Sequence, residues 1–247
     1  MERLLPEPGP TTPGEQYADL GLVEMTYPDR PYVVANFALT LDGRATIAGR
    51  SGPIGSEIDS QVLHRLRTQV DAVMIGAGTL RVERYGRIVP DAALRGHRER
   101  AAGVAQDPLA VIVTNSLDLP WDAELFTAGF GRVLILSSRE GEVPDTATKV
   151  RVDRYEGRVD LQGAMAKLRD ERGVRAVLCE GGPRLLADLV RLGLVDELFI
   201  TLAPKLALNQ GPGLLEDSFG DLGPIDLELV WLLAGESELF ARYRLRR

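Results

Sequence analysis

The run Val177-Leu178-Cys179-Glu180-Gly181-Gly182-Pro183-Arg184-Leu185-Leu186 sets an acid at the end of an apolar strand, before two glycines and an apolar helical pattern. A turn that admits only small residues, followed by a helix whose free N–H groups point back at it, is an anion site with a carboxylate beside it. Two other strand ends carry related residues. Leu39-Thr40-Leu41-Asp42-Gly43-Arg44 reads either as a tight turn capped by Asp42 or as the rim of a cleft that Thr40 and Asp42 line. Gly76-Ala77-Gly78-Thr79-Leu80 follows a buried-type strand, where two glycines permit close backbone approach to a phosphate and Thr79 can donate its hydroxyl. Arg81 holds the third glycine position of a dinucleotide fingerprint, and no Lys-Ser/Thr pair follows, which excludes a P-loop. Each turn alone also reads as ordinary packing. Their joint occurrence at strand ends favours a nucleotide cleft.

Other reactive side chains are sparse. Cys179 lies in an apolar run and reads as core. His64 falls beside the apolar stripe of a helix, and His97 lies in an Arg-rich loop. Arg67, at the end of the His64 helix, points toward the glycine turn that Arg81, Arg84 and Arg87 follow. No Ser/His/Asp constellation is present, and two histidines with one cysteine are too few for a zinc site of the usual kind, so no metal is expected. A net charge of −7, from 29 Lys and Arg against 36 Asp and Glu, argues against nucleic acid or an anionic membrane as the main partner. No run approaches the roughly 18 apolar residues of a membrane span. The lone cysteine excludes an intramolecular disulfide framework and suits the cytoplasm.

The elements that must position these residues alternate. Strands are expected over 32–40, 71–76, 109–114, 132–137, 174–180 and 195–203, with helices over 56–69, 160–172 and 183–192. Ser56 with Asp59 forms a capping-box variant, Pro183 suits a first helical turn and Gly193 a helix stop. Residues 86–108 read as loop with a short helix, and 227–233 with 238–245 as an antiparallel pair around Gly235. The pattern predicts an α/β fold with a mixed, mostly parallel sheet flanked by helices. Residues 1–30 read as a Pro-rich arm and 31–247 as a single domain.

In family order, Leu41-Asp42-Gly43-Arg44, His64-Arg65-Leu66-Arg67, Asp71 to Leu80, Glu180-Gly181-Gly182-Pro183, Gly193 to Leu198 and Ala203-Pro204-Lys205-Leu206 resemble the pyrimidine reductase of riboflavin biosynthesis. That enzyme is the reductase half of a bifunctional deaminase–reductase, and the likeness covers roughly residues 31 to 246. The resemblance implies a three-layer dihydrofolate-reductase-like fold, NADPH as cofactor, and a homodimer. It implies reduction of 5-amino-6-(5-phosphoribosylamino)uracil to the ribitylamino product. Glu180 and Asp42 become the catalytic candidates, with Glu180 hydrogen-bonded to the pyrimidine. Ser51, Arg67 and Arg87 would face the substrate and its phosphate, as would Asn36, where the family usually has a substrate-contacting Lys. Ala38 would line the nicotinamide end. Gly76, Gly78, Thr79 and Glu83 would hold the cofactor, Thr114 its adenosine side, and Gly181, Gly182, Pro183, Arg184 and Leu185 its pyrophosphate.

Departures fall on the substrate side. Besides Asn36, Pro53 replaces a bulky residue, and Glu83-Arg84-Tyr85-Gly86-Arg87-Ile88-Val89-Pro90 replaces a motif ending in Arg, for which Arg87 is the substitute. A pterin such as dihydrofolate is therefore an alternative substrate, and a nucleotide-binding module without turnover a third reading. The zinc deaminase half, with its His-x-Glu and Pro-Cys-x-x-Cys, cannot be built from His64, His97 and Cys179. Thr114 to Ser116 and Ser137-Ser138-Arg139 are candidates for the cofactor 2′-phosphate. Leu229, Trp231 and Leu233 are candidates for a dimer face.

Overall fold

The computed structural model describes residues 1–102, 105–208, 210–216 and 223–246, with 99–102 described by their backbone alone. Along the chain come β1 (Glu2–Leu5), β2 (Gly9–Pro10), α1 (Pro13–Gln16), β3 (Tyr32–Thr40), α2 (Glu57–Thr68), β4 (Ala72–Gly76) and α3 (Ala77–Glu83). Next are α4 (Ala92–Ala102), β5 (Leu109–Thr114), α5 (Glu124–Thr127), β6 (Arg132–Ser137), β7 (Lys149–Arg154) and α6 (Leu161–Asp170). The last are β8 (Ala176–Cys179), α7 (Pro183–Arg191), β9 (Glu197–Ala203), β10 (Leu227–Gly235) and β11 (Glu238–Leu245). The loop expected over 86–108 thus contains α4; its residues 103 and 104 lie outside the described residues.

These elements form two compact units. The first comprises Met1–Leu20, Val33–Arg65 and Pro183–Arg247; the second comprises Gly21–Tyr32 and Leu66–Gly182. The second unit orders its strands β8-β4-β5-β6-β7, all parallel. Met74, Ile75, Ile112, Leu134, Ile135 and Leu178 are buried there, as both faces of a helix-flanked parallel sheet require. Asp160 starts α6 by accepting the Gly163 N–H at 3.0 Å, and Leu161, Ala164, Met165 and Leu168 make its buried stripe. The first unit orders its strands β2-β1-β10-β11-β9-β3; β3 and β9 are parallel and the others antiparallel. In that unit α7 opens on Pro183, buries Leu185, Leu186, Leu189 and Val190, and stops where Gly193 takes a φ of 65°. The expected α/β class and the antiparallel C-terminal pair are both present.

Two features differ from expectation, β7 and the proposed dimer face. β7 reads Lys-Val-Arg-Val-Asp-Arg, an alternation suited to an edge strand with one solvated face, which is hard to tell from loop in sequence. Within residues 1–30, read as an arm, β1 pairs with β10, and Tyr17 is buried in an aromatic cluster with Phe199 and Trp231 at ring separations of 6.1 and 5.5 Å. That cluster also corrects the dimer face. Trp231 and Leu233 are buried within their own unit, leaving only Leu229 of the three exposed.

Candidate functional site

In the second unit the two glycine turns touch. β8 and β4 are parallel neighbours, so their carboxyl ends lie side by side. The Glu180 N–H donates to the Met74 carbonyl at 3.0 Å, and the Gly76 N–H donates to the Gly181 carbonyl at 2.5 Å. The Gly181–Gly182 peptide is cis, and Gly181 has a φ of 92°, a conformation that favours glycine. A Cβ on Gly76 would sit 3.2 Å from the Gly182 nitrogen and 3.3 Å from the Gly181 oxygen. One on Gly182 would sit 3.0 Å from the Thr79 hydroxyl. Bare backbone is therefore required here by close approach, and Thr79 borders it. Gly78 faces open space, with only the Arg81 guanidinium at 4.0 Å. Glu83 ends α3.

Glu180 follows β8 directly, and its side chain is only 4% exposed. Arg67 Nε donates to Oε1 at 2.6 Å and Nη2 to Oε2 at 2.7 Å, a bidentate pair. The Tyr85 hydroxyl donates to Oε2 at 2.8 Å. Arg67 Nη1 donates to the Ile88 carbonyl at 3.0 Å. Burial opposes the Arg67 charge, but adjacent Glu180 outweighs it and raises the guanidinium pKa. Burial, then the Glu180 charge, hold the Tyr85 proton well above the ordinary tyrosine range. Tyr85 is thus a neutral donor. A carboxylate offers about four acceptor places; Oε2 uses two and Oε1 one, so Oε1 retains a place for another donor.

Tyr85 was not singled out from sequence. Arg84 turns the chain after α3 with a left-handed φ of 49°, and this returns Tyr85 to the cluster. Nothing local announces that turn, because Arg carries none of the Gly or Asn preference for such a conformation. Arg67, expected to face a phosphate, is committed to Glu180 and Ile88. Arg87 holds Asp107 at 2.8 Å and lies 4.6 Å over the Phe130 ring, so it is not gathered into the Glu180 cluster. Thr114 ends β5, where its hydroxyl accepts the Ser116 and Leu117 N–H groups at 3.2 Å. Ser137 bonds the backbone of Arg139, and Ser138 donates to Asn115. Cys179 is buried, and burial pushes its thiol up to about 12, so it is inert core.

The first unit holds the remaining candidates. Asn36 and Ala38, two apart on β3, are its two partly exposed positions and share one face. Asp42 Oδ1 accepts the Thr40 hydroxyl at 2.6 Å and the Ala207 N–H at 3.0 Å, so this acid fastens its loop. Ser51 is exposed, and its carbonyl accepts the Ile54 N–H at 2.9 Å. Pro183, Arg184 and Leu185 open α7; Arg184 is exposed, 3.5 Å from Glu216, while Leu185 is buried. Among the described residues no helix is long and apolar enough to cross a membrane.

The fold that carries these turns and this carboxylate has counterparts among solved structures. A pyrimidine reductase-like protein from Corynebacterium diphtheriae superposes with a TM-score of 0.80 at 24% identity, over 96% of this chain and 100% of that one. The fold is therefore that of the pyrimidine reductases. The model of the RibD C-terminal domain matches residues 31–222, and the chain belongs to that family. The 2,5-diamino-6-ribosylamino-4(3H)-pyrimidinone 5′-phosphate reductase of Archaeoglobus fulgidus is 33% identical over 180 residues, 71% of this chain and 81% of that protein. Riboflavin biosynthesis protein RibD of Aquifex aeolicus is 30% identical over 203 residues, 81% of this chain but 52% of that protein.

Proposed function

We propose that this chain is the NADPH-dependent reductase that converts 5-amino-6-(5-phosphoribosylamino)uracil to its ribitylamino product. The observation that carries the reading is the bare glycine backbone set beside Glu180 within one unit. Family membership supports it over the pterin and non-enzymatic readings.

The residues present suit a dinucleotide. Gly76, Gly181 and Gly182 leave main chain uncovered where a Cβ would intrude, and Thr79 borders them with a hydroxyl. In this proposal these residues hold NADPH with Gly78, Glu83 and Thr114. The part of Ala38, Pro183, Arg184 and Leu185, in the other unit, rests on the resemblance alone. NADPH supplies the hydride that reduces the sugar C1′. Glu180 orients the substrate: its free acceptor place on Oε1 takes an N–H of the pyrimidine edge. Arg67 and Tyr85 keep that carboxylate from turning, so little ordering cost falls on binding. Asp42 enters indirectly, by holding the Thr40–Ala207 loop.

A second substrate, the 2,5-diamino pyrimidinone analogue, is favoured by one observation. The archaeal relative named for it is 33% identical, against 30% for the Aquifex RibD. Steady-state NADPH oxidation with each compound tests both readings. Turnover of the uracil compound with higher kcat/KM is the expected result. Preference for the diamino compound selects the second reading, and turnover of neither refutes both. We also propose a homodimer, supported by exposed Leu227, Leu229 and Leu239 on β10 and β11; a monomer in light scattering at micromolar concentration would refute it.

A further inference from the structure

We propose that the second unit carries a separate anion site, at the amino ends of its parallel strands, that takes a small organic phosphate. An open groove of about 620 Å³ lies there, with Arg98, Arg132, Lys149, Arg151, Arg172 and Arg175 on its walls. Small-molecule sites span roughly 300–1,000 Å³, so a mononucleotide-sized ligand fits. β5, β6 and β7 begin at Leu109, Arg132 and Lys149, all of which line the groove. The glycine turns lie at the opposite, carboxyl ends of β4 and β8. The groove is thus distinct from the Glu180 cluster.

Two of the six cations are neutralised within the protein. Arg175 faces Asp71 at 3.2 Å, and Arg172 faces Asp153 at 2.6 Å. The groove's other acid, Asp107, is held by Arg87 at 2.8 Å. Arg132, Lys149 and Arg151 are exposed and have no ion-pair partner among the described residues. Arg98 is 5% exposed and donates to the carbonyls of Thr68, Val70 and Ala105 at 2.9, 2.6 and 2.9 Å. None of these acceptors carries a charge. Burial disfavours the Arg98 charge, with Asp71 and Asp107 partly offsetting it, so Arg98 senses the groove's own groups. A further anion would relieve this imbalance. The concentration of cations also runs against a chain with 29 basic and 36 acidic residues.

Protection of an exposed edge accounts for Lys149 and Arg151 on β7. It does not account for Arg132, on a strand flanked by β5 and β7, or for buried Arg98. The register pairs Arg132 with Lys149 and Leu134 with Arg151, which puts all three exposed cations on one face of adjacent strands. Leu109, half-buried at the start of β5, gives the groove an apolar side chain that a bare inorganic ion would leave uncovered. A phosphate ester with a planar or aliphatic body satisfies both parts.

Calorimetric titration of the full chain with AMP, and separately with adenosine, tests the site. AMP should bind and adenosine should give no heat. The double variant R132A/K149A should weaken AMP by about a hundredfold, about tenfold per lost charge-assisted bond, with its thermal midpoint and reductase turnover unchanged. R151A alone should weaken AMP by about tenfold. Absence of AMP binding at millimolar concentration would overturn the proposal. So would equal AMP affinity in wild type and both variants, which would place the binding elsewhere.

Discussion

Glu180 in the second unit and Glu197 in the first are both buried against arginine, and the two clusters differ in where along the strand they stand. Glu197, in the first unit, is 0% exposed. Its Oε2 accepts Arg242 Nε at 2.8 Å and lies 2.7 Å from Arg242 Nη2 as an ion pair, and its Oε1 accepts Arg244 Nε and Nη2 at 3.3 and 3.2 Å. These partners all come from β11, the strand paired with its own. Glu180 is bound as tightly by Arg67 but stands one residue past a strand end, beside bare backbone, with a place open on Oε1. A pair inside a ladder holds a fold together. One at the carboxyl end of a parallel strand, beside bare backbone, is placed to meet a ligand.

Substitution can break this contrast. The largest effect is expected for Glu180→Gln: kcat for substrate reduction should fall by about a hundredfold or more, while the NADPH dissociation constant changes by no more than about threefold, below 1 kcal/mol. Glu197→Gln should leave kcat within about twofold, about 0.4 kcal/mol. Equal loss of activity in the two variants would erase the distinction.

Stability should reverse the order of interest. Glu197→Gln leaves Arg242 buried without its counter-charge, and urea unfolding should show a loss of about 3–5 kcal/mol. A loss under about 1 kcal/mol would mean that the Glu197–Arg242 pair is not structural.

A smaller effect probes the glycine contact. Gly76→Ala must displace the Gly181–Gly182 backbone, so it should cost about 1–3 kcal/mol and raise the KM for NADPH. Gly78→Ala, which faces open space, should not lower the unfolding midpoint.

The smallest effect is expected for Tyr85→Phe, about 1 kcal/mol for one hydrogen bond. Its sign with pH is defined. The Tyr85 pKa is raised above 10.0 in the folded protein, so the stability contributed by the neutral phenol is full below pH 10.0 and is lost as pH rises through the raised value. The gap between wild type and Tyr85→Phe in urea midpoint should therefore shrink above that pH. A gap that widens instead would refute the neutral-donor assignment.

Much of the second unit was readable because its strands are continuous apolar runs. Val73 to Ile75, Ala110 to Ile112 and Val133 to Leu136 have no polar face, and the Gly-Gly-Pro sequence marks where β8 must turn. Positions set by long-range geometry were not readable. Tyr85 reaches Glu180 across 95 residues, through a left-handed Arg that no local preference signals. The prolines of residues 1–30 concealed Tyr17, whose burial depends on Trp231 and Phe199 far along the chain. β7 was missed because its charged face is that of an edge strand. The commitment of Arg67 to Glu180 was likewise invisible, since a phosphate and a carboxylate call for the same guanidinium.

The second unit is almost contiguous in sequence, whereas the first is assembled from three separate pieces. During synthesis every strand of the parallel sheet β8-β4-β5-β6-β7 has been made once Gly182 is added. β3, made long before, must wait for its partner β9 at Glu197–Ala203. The edge of β3 that pairs with β9 therefore spends the whole interval without that partner's hydrogen bonds. Long-separation pairing of this kind is slow and exposed to aggregation, which makes the assembly of the first unit the vulnerable late stage of the molecule's production.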